Sequence, residues 1–154
     1  MIKRSVTHAT FTLERAYGAP PPRVFKAFAD PAVKARWFGV SEEELKSGRY
    51  ELDFRVGGRE SWRGGEKGGP EYRNDTIYRD IVPDQRIIFA YDMFQDDKRI
   101  SVSLATVELK PDGQGTKLTF TEQGAFLDGY DQPKTRESGW GSLLEALGKE
   151  LKRP

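Results

Sequence analysis

Few side chains in this sequence could do chemistry, and the best placed of them are carboxylates. Cysteine is absent, so thiol nucleophiles, disulfides and Cys-ligated metals are excluded. The single histidine, His8, falls in a predicted N-terminal arm. A frayed terminus cannot hold an imidazole against a serine, and one histidine does not make a zinc site. Glu122 and Asp92 are left as acid/base candidates, with no metal ligands and no cofactor expected. Glu122 follows Leu118 and Phe120 at two-residue spacing. If that parity continues, its carboxyl points inward, where burial raises its pKa unless it is paired and suits it to general acid or base work. The plainer reading places Glu122 at a strand end, solvated or bonded to backbone in the Thr121-Glu122-Gln123-Gly124 turn. Asp92 and Arg99 flank Gln95-Asp96-Asp97-Lys98, so an exposed cross-strand pair accounts for both. The glycine-rich stretch 57–69 lacks both G-x-G-x-x-G and Gly-Lys-Ser/Thr, and hairpin tips explain it better than a phosphate loop.

The larger signal is aromatic. Trp37, Phe38, Trp62, Phe89, Tyr91 and Trp140 are either ordinary core or the walls of a cavity for a flat apolar molecule. Phe54, Tyr78, Val102, Leu104 and Phe120 on neighbouring strands, and Leu144 on the last helix, complete the expected lining.

The elements that must position these groups can be read from periodicity. Phe11, Leu13 and Arg15 alternate with polar neighbours as a first strand, which Gly18-Ala19-Pro20-Pro21-Pro22 stops. A helix starts near Pro21 or Pro22, carrying Val24, Phe25, Phe28 and Ala29, and Asp30 caps a second short one with Val33, Trp37 and Phe38. Residues 41–46 read as an exposed acidic stretch. Tyr50, Leu52, Phe54 and Val56 alternate as a strand before the Gly57-Gly58 turn, and 59–63 returns. Tyr72–Val82 pairs with 86–94, where Ile87, Phe89, Tyr91 and Met93 share a face. Tyr78 and Ile81 lie on opposite faces of a regular strand, so a bulge is open there. In 99–109, Ile100, Val102 and Leu104 are expected to face one way, as do Leu118 and Phe120 in 116–122. The run 136–151 carries Trp140, Leu143, Leu144, Leu147 and Leu151 as a broad apolar helical stripe. Asp131 or a neighbour is expected to cap it, with Pro133 in its first turn. Tight turns between most strands imply an antiparallel sheet, and the class is α+β.

Length and composition fit one domain over residues 1–154. A net charge of +1 gives no reason to expect nucleic acid or an anionic membrane, and no apolar run is long enough for membrane insertion. The first residues lack the apolar stretch of a secretory signal, so a cytoplasmic location is the default expectation.

Ala19-Pro20-Pro21-Pro22-Arg23-Val24-Phe25-Lys26-Ala27-Phe28, then Asp30-Pro31, then Trp37-Phe38, resembles the opening of the SRPBCC (START-like) superfamily. Val56-Gly57-Gly58-Arg59 and Asp80-Ile81-Val82-Pro83-Asp84-Gln85-Arg86-Ile87 resemble its branch named after the activator of the heat-shock protein 90 ATPase, and Ser103-Leu104-Ala105-Thr106-Val107-Glu108 with the run from Phe120 to Gly129 resembles a bacterial subgroup of that branch. The resemblance covers nearly the whole chain. It implies a helix-grip fold, an antiparallel sheet wrapped around a long C-terminal helix, with two short helices after the first strand and an apolar cavity between sheet and helix. Members of the superfamily bind lipids, hormones or polyketides, act as cyclases, or serve chaperones. The eukaryotic activator has a further N-terminal domain that contacts its chaperone, for which this sequence leaves no room. A histidine often precedes the glycine that opens the last helix in the bacterial subgroup. Ser138 stands there before Gly139, which removes one proton shuttle. The leading expectation is non-catalytic binding of a small hydrophobic molecule. The alternatives are a cyclase or hydrolase using Glu122 or Asp92, and a chaperone-associated interaction module.

Overall fold

Alternating apolar and polar residues put nearly half of the chain into one antiparallel sheet, and the computed structural model describes residues 3–154. Strand β1 (Val6–Tyr17) leads into three helices, α1 (Pro21–Ala29), α2 (Pro31–Phe38) and α3 (Glu42–Lys46). Six strands follow, β2 (Tyr50–Leu52), β3 (Arg59–Gly64), β4 (Tyr72–Val82), β5 (Arg86–Gln95), β6 (Lys98–Asp112) and β7 (Gly115–Leu127), and then helix α4 (Pro133–Glu150). The spatial order is β1-β7-β6-β5-β4-β3-β2. Helix α4 crosses the inner face of this curved sheet, burying Trp140, Leu144 and Leu147 against Phe120, Leu118 and Val107. No helix among the described residues is long and apolar enough to cross a membrane.

Local chemistry explains the helix boundaries. Pro21 opens α1, and the Asp30 side chain accepts from the backbone N–H groups of Ala32 and Val33 to cap α2. Within the acidic stretch 41–46, Glu42–Lys46 forms a third short helix with Ser41 at its N-cap. Ser41 and Glu44 bond reciprocally across its first turn in a capping box, with three glutamates against the helix N-terminus. Asp131 does not cap α4. Gln132 holds that position without a side-chain bond, and Asp131 turns to Arg136 instead.

Four other features depart from the periodicity. Strand β2 ends at Leu52, because Asp53 and Arg55 close a tight loop that leaves Phe54 outside the ladder. The register of β4 shifts between Tyr78 and Asp80, a bulge that lets Tyr78 and Ile81 both pack on the core. A second bulge, at Ile100, has the larger consequence. Arg99 pairs with Phe94 while Ser101 pairs with Met93. Ile100 and Ser101 are therefore both buried, and from Ser101 onward the inner face is Ser101, Ser103, Ala105, Val107 and Leu109. Val102 and Leu104 are turned outward, 43% and 40% exposed, and cannot line any interior cavity. Last, β7 runs on to Leu127, so Thr121-Glu122-Gln123-Gly124 is strand and not turn. Its partner β1 pairs from Val6, which places His8 opposite Ala125 in regular strand, exposed but not frayed.

Helix α2 is tied to the end of α4 by Arg36, whose guanidinium grips Glu150 with Nε at 3.0 Å and Nη2 at 2.8 Å. This fork holds the Glu150 carboxyl below the usual glutamate range. A depressed carboxylate contributes stability that is present above the unfolded pKa and lost as pH falls through the folded one. Glu150→Gln is expected to cost at most about 1 kcal/mol at pH 7, since the arginine is largely solvated. The difference from the parent should close below about pH 4 in paired thermal melts.

Candidate functional site

Three inward positions of β7, spaced by two, build the floor of the site. Glu122 is fully buried. Gly124 leaves the space into which the Phe126 ring folds, since a Cβ on it would lie 2.7 Å from that ring and 3.2 Å from Ser103 Oγ. Opposite them, Ser101 and Ser103 of β6 and Tyr91 of β5 supply hydroxyls, and the first turns of α4 supply Arg136 and Trp140.

These groups form one connected network. Tyr91 donates its hydroxyl to Glu122 Oε1 at 2.7 Å and accepts from Arg136 Nη1 at 3.0 Å and Trp140 Nε1 at 3.2 Å. Ser103 donates to Glu122 Oε2 at 3.1 Å, which also takes Arg136 Nη1 at 3.3 Å. Arg136 Nη2 donates to Ser101 Oγ at 2.8 Å and Asp131 Oδ2 at 3.0 Å. Burial pushes the Glu122 carboxyl up, against the opposing pull of Tyr91, Arg136 and Ser103. Burial also pushes Tyr91 above the usual tyrosine range, so it stays a neutral donor. Arg136 is raised by the charges around it despite its burial.

Above this floor a cleft of about 400 Å³ opens between the sheet and α4. Its walls are mostly apolar: Phe38 from α2, Trp62 from β3, Met93 from β5, Ile100 from β6, and Trp140 and Leu143 from α4. Tyr72, Asn74, Gln95, Tyr130 and Thr135 add polar groups. Gly139 lines the cleft where a side chain would otherwise stand, and a Cβ built on it meets nothing within 4 Å. Gly139→Ala should therefore raise helix stability by about 0.5–1 kcal/mol in a denaturation experiment.

The residues expected to line a cavity separate into three groups. Phe38, Trp62, Tyr91 and Trp140 meet at the cleft. Trp37, Tyr78, Phe89, Phe120 and Leu144 belong to the core behind it. Trp37 donates its indole N–H to Ala27 O at 2.8 Å, while Phe120 stacks on Trp140 at 4.2 Å. Phe54 packs between Phe25 and Tyr78 at 5.5 and 4.9 Å. Val102 and Leu104 lie on the outer face. Of the two acid/base candidates, Asp92 forms a half-exposed pair with Arg99 at 3.1 Å. Glu122 is inside but sits behind Tyr91 and Arg136 and is not part of the cleft wall. Arg136 is the main residue not singled out from the sequence. The signal for it is a lone cation one helical turn before Trp140 on an otherwise apolar stripe.

A second buried polar cluster lies deeper. Lys34 Nζ contacts both Glu60 oxygens at 2.8 and 2.7 Å and Tyr78 OH at 3.1 Å. Tyr50 and Tyr78 each donate to Glu60 at 2.6 Å. Burial first, and the Glu60 charge second, push both tyrosines well above their usual range. The Lys34 ammonium also stands 4.7 Å over the Phe38 ring.

A sheet gripping one long helix over a lateral cleft defines a helix-grip protein of the SRPBCC type. A family model described as activator of Hsp90 ATPase homolog 1-like protein matches residues 18–152, and the chain belongs to that family. Among solved structures, it is similar to the Mll3558 protein of Rhizobium loti, with 53% identity, TM-score 0.87, and coverage of 95% of this chain and 99% of that one. A protein from Rhizobium leguminosarum is 42% identical over 99% of both chains, with TM-score 0.91. DynU16, from the dynemicin biosynthetic locus, is 18% identical with TM-score 0.68. That alignment covers 93% of this chain and 47% of DynU16, and it speaks to the fold alone. No curated protein matches the chain.

Proposed function

We propose that the chain binds a small, neutral, largely apolar molecule in the cleft between sheet and α4, without chemistry on it. The observation that carries this reading is an apolar-walled cleft of about 400 Å³ over a polar floor whose hydrogen bonds are already made. Aromatic walls give large contact area with few rotors to freeze, which suits a flat ligand. An acid/base role for Glu122 would need an oxygen within reach of substrate. Both of its oxygens are engaged, and Tyr91 and Arg136 stand between it and the cleft.

The test is a thermal shift with 2-naphthol as probe, on the parent and on Gly139→Phe, which fills the cleft from an open helical position. A ligand at about 100 times its Kd stabilises by about 2.7 kcal/mol, several degrees for a chain of this size. The parent should show that shift, and a folded Gly139→Phe should lose it. An equal shift in both would move binding away from the cleft.

The family name motivates a second reading, docking to a chaperone, and Val102 and Leu104 are the exposed apolar pair on the sheet's outer face that would serve it. Val102→Asp/Leu104→Asp would abolish such docking and leave 2-naphthol binding unchanged.

A further inference from the structure

The cleft has two polar ends, and they differ. At the α4 end Tyr91, Trp140 and both terminal nitrogens of Arg136 are hydrogen-bonded, and the Arg136 cation is held by two carboxylates, Glu122 and Asp131. At the β3–β4 end, Trp62 Nε1 and Asn74 Oδ1 are buried without any hydrogen-bond partner among the described residues. Trp62 and Asn74 are directly opposite each other in the ladder, so their side chains share a face, and both line the cleft. The indole Nε1–H can only donate and the amide Oδ1 can only accept. Folding leaves such groups unpaired only at a cost, and the great majority of buried polar atoms have partners.

We infer that Trp62 and Asn74 form the polar anchor of the ligand site and select a neutral hydroxyl on an otherwise apolar ring system. This rests on the ligand-binding reading above. When the two side chains turn to open these buried atoms to the cleft, a hydroxyl accepts from Trp62 N–H and donates to Asn74 C=O with one oxygen, and the ring it carries then extends along the aromatic walls toward Trp140 and Leu143. An ether in the same place accepts but cannot donate. A carboxylate finds no free cation, because Arg136 is already neutralised, and it places a charge beside the Asn74 acceptor.

The experiment is isothermal titration with four probes of one shape: 2-naphthol, naphthalene, 2-methoxynaphthalene and 2-naphthoate. The parent is compared with Trp62→Phe/Asn74→Leu, and folding is checked by its thermal melt. In the parent, 2-naphthol should bind about tenfold more tightly than naphthalene, a difference of 1.4 kcal/mol. The ether should fall between them, and the carboxylate should be weakest. In the double variant naphthalene should bind as before and the hydroxyl advantage should fall to about twofold or less. If the double variant is unstable, Trp62→Phe alone should remove the larger part of the advantage. Equal binding of naphthol and naphthalene in the parent, as when a trapped water serves both atoms, overturns the anchor and leaves the cleft reading standing. A hydroxyl advantage that survives the double variant does the same. Binding of no probe at all overturns both.

Discussion

Arg136→Met will destabilise the fold by about 3–5 kcal/mol at neutral pH, the typical cost of removing one partner from a buried ion pair. The guanidinium is 6% exposed and serves Tyr91, Glu122, Ser101 and Asp131 at once. Methionine fills the apolar stem but leaves a carboxylate in the interior with only Tyr91 and Ser103 as donors. The loss will depend on pH with a definite sign. Burial already raises the Glu122 carboxyl, and removing the cation raises it further. A group whose folded pKa is raised favours the folded state in acid and loses that contribution as pH rises through the folded value. The deficit of Arg136→Met relative to the parent will be smallest near or below the ordinary glutamate pKa of about 4.3 and will grow toward neutrality. Adding Glu122→Gln will flatten that pH dependence. Urea titrations of the three proteins at several pH values measure it, and a deficit independent of pH would show that Glu122 is not the group left uncompensated.

Lys34→Met will have a comparable effect by the same physics at a different place. Lys34 and Glu60 are 3% and 5% exposed, and the ammonium supplies the only cation near that carboxylate among the described residues. Without it, Tyr50 and Tyr78 hold an uncompensated charge, and a loss of about 3–5 kcal/mol is expected in chemical denaturation. Lys34→Met/Glu60→Leu should recover much of it, since an apolar pair of similar volume often replaces a buried ion pair at little cost. Probe binding by folded Lys34→Met should change far less than by Gly139→Phe, because Lys34 and Glu60 lie outside the cleft wall. An undiminished stability would mean that water reaches the cluster.

How much of this was legible depends on one-residue events. Alternation alone brings Glu122 inward, and the reading of Leu118, Phe120 and Glu122 on one face holds because β7 continues to Leu127. The competing turn reading fails because Gly124 accommodates the Phe126 ring within a strand. In β6, alternation misleads. A single extra residue at Ile100 exchanges the faces, so Ser101 and Ser103 enter the network while Val102 and Leu104 leave it. No local composition marks that bulge. Serine facing the interior looks wrong until its partners, Arg136 and Glu122, are in place. The Trp140 stripe predicted α4 and its buried side, but periodicity treats every apolar position alike. It could not separate Trp140, at the cleft, from Leu144, sealed behind it. That distinction arises where α4 meets the far strands, and it is tertiary.

The three tryptophans offer the most direct test of the ligand reading, because their indole N–H groups are in three different states. Trp37 donates to Ala27 O, Trp140 donates to Tyr91 OH, and Trp62 has no partner. In a two-dimensional nitrogen–proton spectrum each gives its own indole signal. Titration with 2-naphthol should move the Trp62 signal downfield as its N–H gains an acceptor, shift Trp140 by ring proximity, and leave Trp37 in place. Backbone shifts should gather at Gly139, Leu143 and Asn74. Movement confined to the outer face around Val102 and Leu104, with all three indole signals unchanged at saturation, would contradict ligand binding in the cleft.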